Sequence, residues 1–99
     1  MNGKFVGMYA VVRGDRSGVF AGTISAREGQ EVILEECRRL WYWDGASSIS
    51  QLAKEGVAKP DNCKFTVTVS ELMLTDAIEI IPCTPKAETN IKAVEEWKM

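Results

Sequence analysis

Histidine is absent from this chain of 99 residues, and the absence excludes a good deal. The usual general base and the commonest transition-metal ligand are missing, and so are the Ser-His and Cys-His nucleophile arrangements. Cysteine is sparse: Cys37, Cys63 and Cys83 are odd in number and widely spaced. That is no disulfide framework, and no CxxC pair starts a zinc site. The three read as small buried hydrophobes. No apolar run is long enough to cross a bilayer. The opening "MNGKFVGMYAVV" has one Lys and no extended apolar core before a small-residue cleavage site, so it does not read as a signal peptide, and the cytoplasm is expected. Positive charge is not in excess either. Twelve Lys and Arg stand against fourteen Asp and Glu, for a net charge of −2, which argues against a broad surface for duplex nucleic acid. The glycines follow neither a GxGxxG nor a Walker spacing. Carboxylate or lysine chemistry remains open, but the composition favours binding over catalysis, with no cofactor and no metal.

What is present describes one domain, residues 1–99, with a hydrophobic share of 45% and one modest core. A chain this short buries a small fraction of its surface, so a homo-oligomer, a dimer or higher, is expected. "MYAVVRG" reads as a first strand closed by a turn at Gly14-Asp15, and "GVFAGTISARE" as a second. Gly22 inside it marks a bulge or a close backbone approach. "EVILEECRRLWYW" is a long third strand with a bulge near Glu36-Cys37. "SSISQLAKEG" is a helix: Ser48 caps it, Gln51 completes a capping-box pattern, and Gly56 ends it. "KFTVTVSELML" alternates, placing Phe65, Val67 and Val69 inward, with a slip at Ser70-Glu71. "DAIEIIPC" is a fifth strand. Thr84 and Pro85 then open a second helix running to about Lys92. The class is α+β: a small curved antiparallel sheet or partial barrel of about five strands, with a helix inserted after strand 3 and a C-terminal helix.

All five arginines (Arg13, Arg16, Arg27, Arg38, Arg39) lie in the first 39 residues, so that half can hold an anion in a protein that is acidic overall. The densest stretch is "CRRLWYWDGASSISQLA". Period-two alternation puts Arg39, Trp41 and Trp43 on one face of the third strand and Arg38, Leu40 and Tyr42 on the other. Taken singly, each reads as a buried ring or a surface arginine with its stem packed down. Together they offer guanidinium forks for phosphate, indole faces for a base and, through Asp44-Gly45-Ala46, a helix N-terminus. One tryptophan belongs to the core on this reading, and the other faces a ligand.

Other motifs weigh less. "RGDRSG" contains an integrin-type tripeptide that is accidental in a cytoplasmic protein; it is a solvated hairpin turn that can bring Arg13 and Arg16 to an anion. Asp76 and Glu79 are a carboxylate pair of the kind used in acid-base or metal chemistry. Their positions read instead as a turn and an outward strand face.

The segments "VVRGDRSGVFAGTI", "RRLWYWDGASSISQLAKEGV" and "LTDAIEIIPCT" resemble a family of small uncharacterised proteins encoded by bacteriophages and prophages, over most of the chain. That family carries a Thr-Tyr-Ser-like turn after the first strand, where this chain has Gly14-Asp15-Arg16, so Arg16 replaces an aromatic contact with charge. In length and element order the chain is also similar to the phage anti-Thoeris proteins, sponges that sequester cyclic ADP-ribose signals. This second resemblance implies an oligomeric binder without turnover. Its ligand, a cyclic ADP-ribose type or cyclic oligonucleotide signal, would lie at a subunit interface, with arginines on the pyrophosphate and aromatics on the base. Arg38, Arg39, Trp41 and Trp43 are the expected ligand-binding residues, with Arg13 and Arg16 behind them, and Trp97 reaching a neighbouring subunit. The rival expectations are a module that binds a host protein, a single-stranded nucleic-acid binder with a steep salt dependence, and a metal-using enzyme that cleaves the signal.

Overall fold

The structure, a computed structural model, describes residues 3–99. Its strands are β1 (Tyr9–Gly14), β2 (Val19–Glu28), β3 (Glu31–Tyr42), β4 (Lys64–Phe65), β5 (Val69–Leu74) and β6 (Ala77–Pro82). Helix α1 (Ile49–Glu55) follows β3, a single 3-10 turn spans Pro60–Asn62, and α2 (Pro85–Ala93) follows β6. All strand ladders are antiparallel, in the order β4-β3-β2-β1-β6. β3 is long enough to carry two partners on its outer edge: β5 along Val32–Cys37 and β4 along Leu40–Tyr42. The expected α+β class and both helix insertions are found. The sheet has six strands and is open, since among the described residues no ladder joins β5 to β6. No helix is long and apolar enough to cross a membrane among those residues.

The central strand explains the packing. Tyr9, Ala10, Val11 and Val12 are all buried, because β1 has a strand on each side and covered faces above and below, which selects a continuous apolar run. Tyr9 and Val11 face a cluster with Ala21, Leu40, Leu52, Ala53, Ile91 and Val94, where the two helices cover the sheet. Ala10 and Val12 face a second cluster, built from strand residues such as Phe20, Ile24, Val32, Leu34, Cys37 and Leu74.

The bulge expected near Glu36 is present. Thr23 pairs with Glu35 while Ala21 pairs with Arg38, and Glu36 takes a positive φ of 49° to absorb the extra residue. Gly22 sits opposite: a Cβ there would lie 3.1 Å from the Cys37 Cα and the Glu35 carbonyl oxygen. Both readings of that glycine, bulge and close approach, therefore apply.

The helix caps form as their residues dictate. Ser48 Oγ accepts the Gln51 N–H at 3.2 Å, and Gln51 Oε1 reaches back to the Ser47 N–H at 2.8 Å, one residue earlier than in the usual capping box. Gly56 terminates α1 at φ 78°. Thr84 Oγ1 accepts the Ala87 N–H, with Pro85 at the first helical position.

One strand differs from expectation. Lys64–Leu74 is broken at residues 66–68, and Val67 and Val69 are each 40% exposed while Phe65 is fully buried. The cause is Thr66. Its N–H donates to the Arg39 carbonyl at 3.0 Å, its Oγ1 accepts the Arg39 N–H at 3.1 Å, and its carbonyl accepts Arg38 Nε at 3.0 Å. The chain is pinned there to the edge of β3 and restarts its ladder beyond it.

The cysteines are free thiols. Burial pushes Cys37 up to about 12 and Cys83 up to about 11. Because the thiolate is the reactive species, a thiol reagent at mildly alkaline pH is expected to label native protein slowly, with Cys37 last, and all three rapidly after denaturation. Fast native labelling of Cys37 contradicts this packing.

Candidate ligand-binding groove

The β1–β2 turn is fixed before any ligand arrives. The Gly14 N–H donates to the Gly18 carbonyl at 2.8 Å, and the Asp15 N–H to the Asp76 carbonyl at 2.8 Å. The Asp76 carboxylate accepts the Arg16 N–H at 2.8 Å, the Ser17 N–H at 3.2 Å and the Ser17 hydroxyl at 2.7 Å. These bonds, the one from the Arg16 backbone foremost, hold its carboxyl below the usual carboxylate range. Asp76 is therefore a brace for the turn, and Glu79 is paired with Arg13 at 3.6 Å across the β1–β6 ladder. A depressed folded pKa stabilises above the unfolded value, near 3.9 for Asp, and that contribution is lost as pH falls through the folded value. Asp76→Asn is thus expected to be less stable than wild type at neutral pH, with the gap closing in acid. Urea unfolding at both pH values checks it, and a pH-independent gap contradicts it.

Against this turn lies Arg39. Its register partner is Phe20, and its guanidinium sits 4.5 Å from the Phe20 ring centroid. Nη1 donates to the Ser17 carbonyl at 2.6 Å. Gly18, at φ 112°, turns the chain away there: even a Cβ would come only to 3.7 Å of Nη1. The fork is oriented from one side and keeps its other donors. Among the described residues neither Arg39 nor Arg16 forms an ion pair.

Arg16, Ser17, Gly18, Val19, Arg39, Leu40, Trp41 and Trp43 line one groove of about 390 Å³, within the range of small-molecule sites. Trp43 is half-buried and packs on the helical core. Trp41 is 63% exposed. The division of the two tryptophans between core and surface is thus found, with Trp43 as the core one. Trp97 does not project away from its own chain. It lies parallel to Trp41, with ring centroids 6.5 Å apart and planes at 7°.

The chain belongs to the DUF6948 family, a domain of unknown function. The match spans residues 7–91. No curated protein and no solved structure matches the chain. Every residue lining the groove falls inside the family domain, while Trp97 falls beyond it.

Four of the six expected ligand residues, Arg16, Arg39, Trp41 and Trp43, come together in the groove. Two do not. Arg13 points to Glu79 on the neighbouring strand. Arg38 is 3% exposed, and its guanidinium donates to the carbonyls of Thr66, Phe65, Ile91 and Val94 at 2.7–3.1 Å. It is an internal tie, because alternation turns it with Leu40 towards the helices. Burial lowers its pKa. The N-terminus of α1, expected beside the ligand, is capped by its own serines and glutamine and does not line the groove. Sequence reasoning missed Phe20 beneath Arg39 and Asp76 behind Arg16, since both contacts depend on register and topology. A larger cavity, about 480 Å³, lies by the β2–β3 turn among Val6, Ala26, Ile33 and Met73. Its charges are of both signs, Arg27 against Glu28 and Glu31, so it does not concentrate cations.

Proposed function

We propose that the protein binds and holds, without turnover, a small anionic ligand carrying a planar ring, of the nucleotide class. One observation carries the reading: two arginines without carboxylate partners share a groove with two indoles. The arginines supply charge-assisted forks for a phosphate, and the indoles supply faces for the base. The carboxylate pair that suggested acid-base chemistry is already engaged, Asp76 with the turn and Glu79 with Arg13, and the chain has no histidine. This supports sequestration rather than cleavage. With the sequence resemblance, the ligand is a cyclic ADP-ribose type or cyclic oligonucleotide immune signal. The protein is then a phage-encoded sponge acting in the host cytoplasm as a homo-oligomer.

Calorimetry against cyclic ADP-ribose isomers and cyclic di- and trinucleotides is expected to show tight stoichiometric binding to one class, with the ligand recovered intact after denaturation. Absence of binding across the panel overturns the reading, and recovery of a cleaved product overturns its non-catalytic part.

A further inference from the structure

The tail beyond α2 is attached at defined points. Glu96 makes a parallel bridge to Phe65, and the Trp97 N–H donates to the Phe65 carbonyl at 2.9 Å. Lys64 Nζ lies 5.4 Å from the Trp97 ring centroid. The Trp97 indole is laid parallel to that of Trp41, a groove residue whose side chain is otherwise largely free in solvent. An exposed indole on a strand end samples several rotamers, and a ligand that needs one of them must wait for it, which weakens apparent affinity. A parallel neighbour removes that freedom in advance.

We propose that Trp97 is a positioning residue for the ligand's ring: it holds Trp41 in the orientation that presents an indole face to the groove, so the tail sets the site's preference for ligands that carry a base. Trp97 does not line the groove and acts through Trp41, whereas the anion is held by Arg16 and Arg39. The inference rests on the groove being the ligand site.

The two ligand parts can be separated with ADP-ribose and inorganic pyrophosphate as probes. Trp97→Ala is expected to weaken ADP-ribose binding roughly fivefold, within the range of one base–aromatic stack, and to leave pyrophosphate binding unchanged. Trp97→Phe restores most of the loss. Equal loss for both probes shows a general structural effect and overturns the inference, as does unchanged ADP-ribose binding while the groove reading stands. A wild-type protein that binds neither probe, nor any ligand of the cyclic-nucleotide panel, overturns the groove reading and the inference with it.

Discussion

Arg38→Met is expected to destabilise the fold by about 2–4 kcal/mol, the scale of losing charge-assisted hydrogen bonds and leaving a buried carbonyl without a donor. A domain of this kind has only about 5–15 kcal/mol in total, so the variant is expected to unfold at a much lower urea concentration and to accumulate poorly. The physics lies in the carbonyls. Those of Phe65 and Ile91 also accept backbone N–H groups, but those of Thr66 and Val94 have Arg38 as their donor. Methionine fills the space and leaves the Val94 carbonyl buried without one, at about 1–3 kcal/mol, while the part-buried Thr66 carbonyl costs less. Arg38→Lys is expected to recover little, because an ammonium is a point donor and cannot span four carbonyls. Wild-type stability in Arg38→Met contradicts this account.

The second large effect is on binding. Arg39→Gln is expected to weaken a phosphate-bearing ligand of the groove roughly 30-fold, about 2 kcal/mol, with little change in the urea midpoint. Its Nη1 bond to Ser17 is one contact at a part-buried site, and Gln keeps a donor. Arg39→Lys is expected to keep charge and lose the fork, giving an intermediate loss. Arg13→Gln is the matched control: it removes the same charge outside the groove, where Arg13 faces Glu79, and leaves affinity unchanged. Titration calorimetry of the three variants separates these outcomes. Equal losses for Arg13→Gln and Arg39→Gln reduce the site to general electrostatics.

The pair Arg38 and Arg39 shows where sequence reading works and where it stops. Alternation alone separates them, Arg39 with Trp41 on one side and Arg38 with Leu40 on the other, but Trp43, expected beside Trp41, lies past the end of β3 and packs on the helical cluster with Leu40. The side that is interior cannot be read from the segment. The carbonyls that receive Arg38 lie 27 to 56 residues away, in two pieces of chain whose meeting depends on topology. The same limit explains Arg13, whose carboxylate partner comes from the β1–β6 register. It also explains the break after Phe65, where a clean apolar alternation is overridden by a clasp at Thr66. By contrast, Ser48, Gly56, Thr84 and Pro85 act within a turn of their own position, and Gly22 and the Glu36 bulge act across one hairpin. Those were legible because the information is local.

The Phe65 carbonyl has a role beyond static stability. It accepts Arg38 Nη2 at 3.1 Å and the Trp97 N–H at 2.9 Å, while Arg38 also holds the last carbonyls of α2. A terminal segment normally frays almost freely. Here the amide of Trp97 can exchange with solvent only by leaving the acceptor that also anchors the clasp. With Val94 held by Arg38 and Glu96 bridged to Phe65, the Trp97 amide is expected to exchange more slowly than that of a free tail.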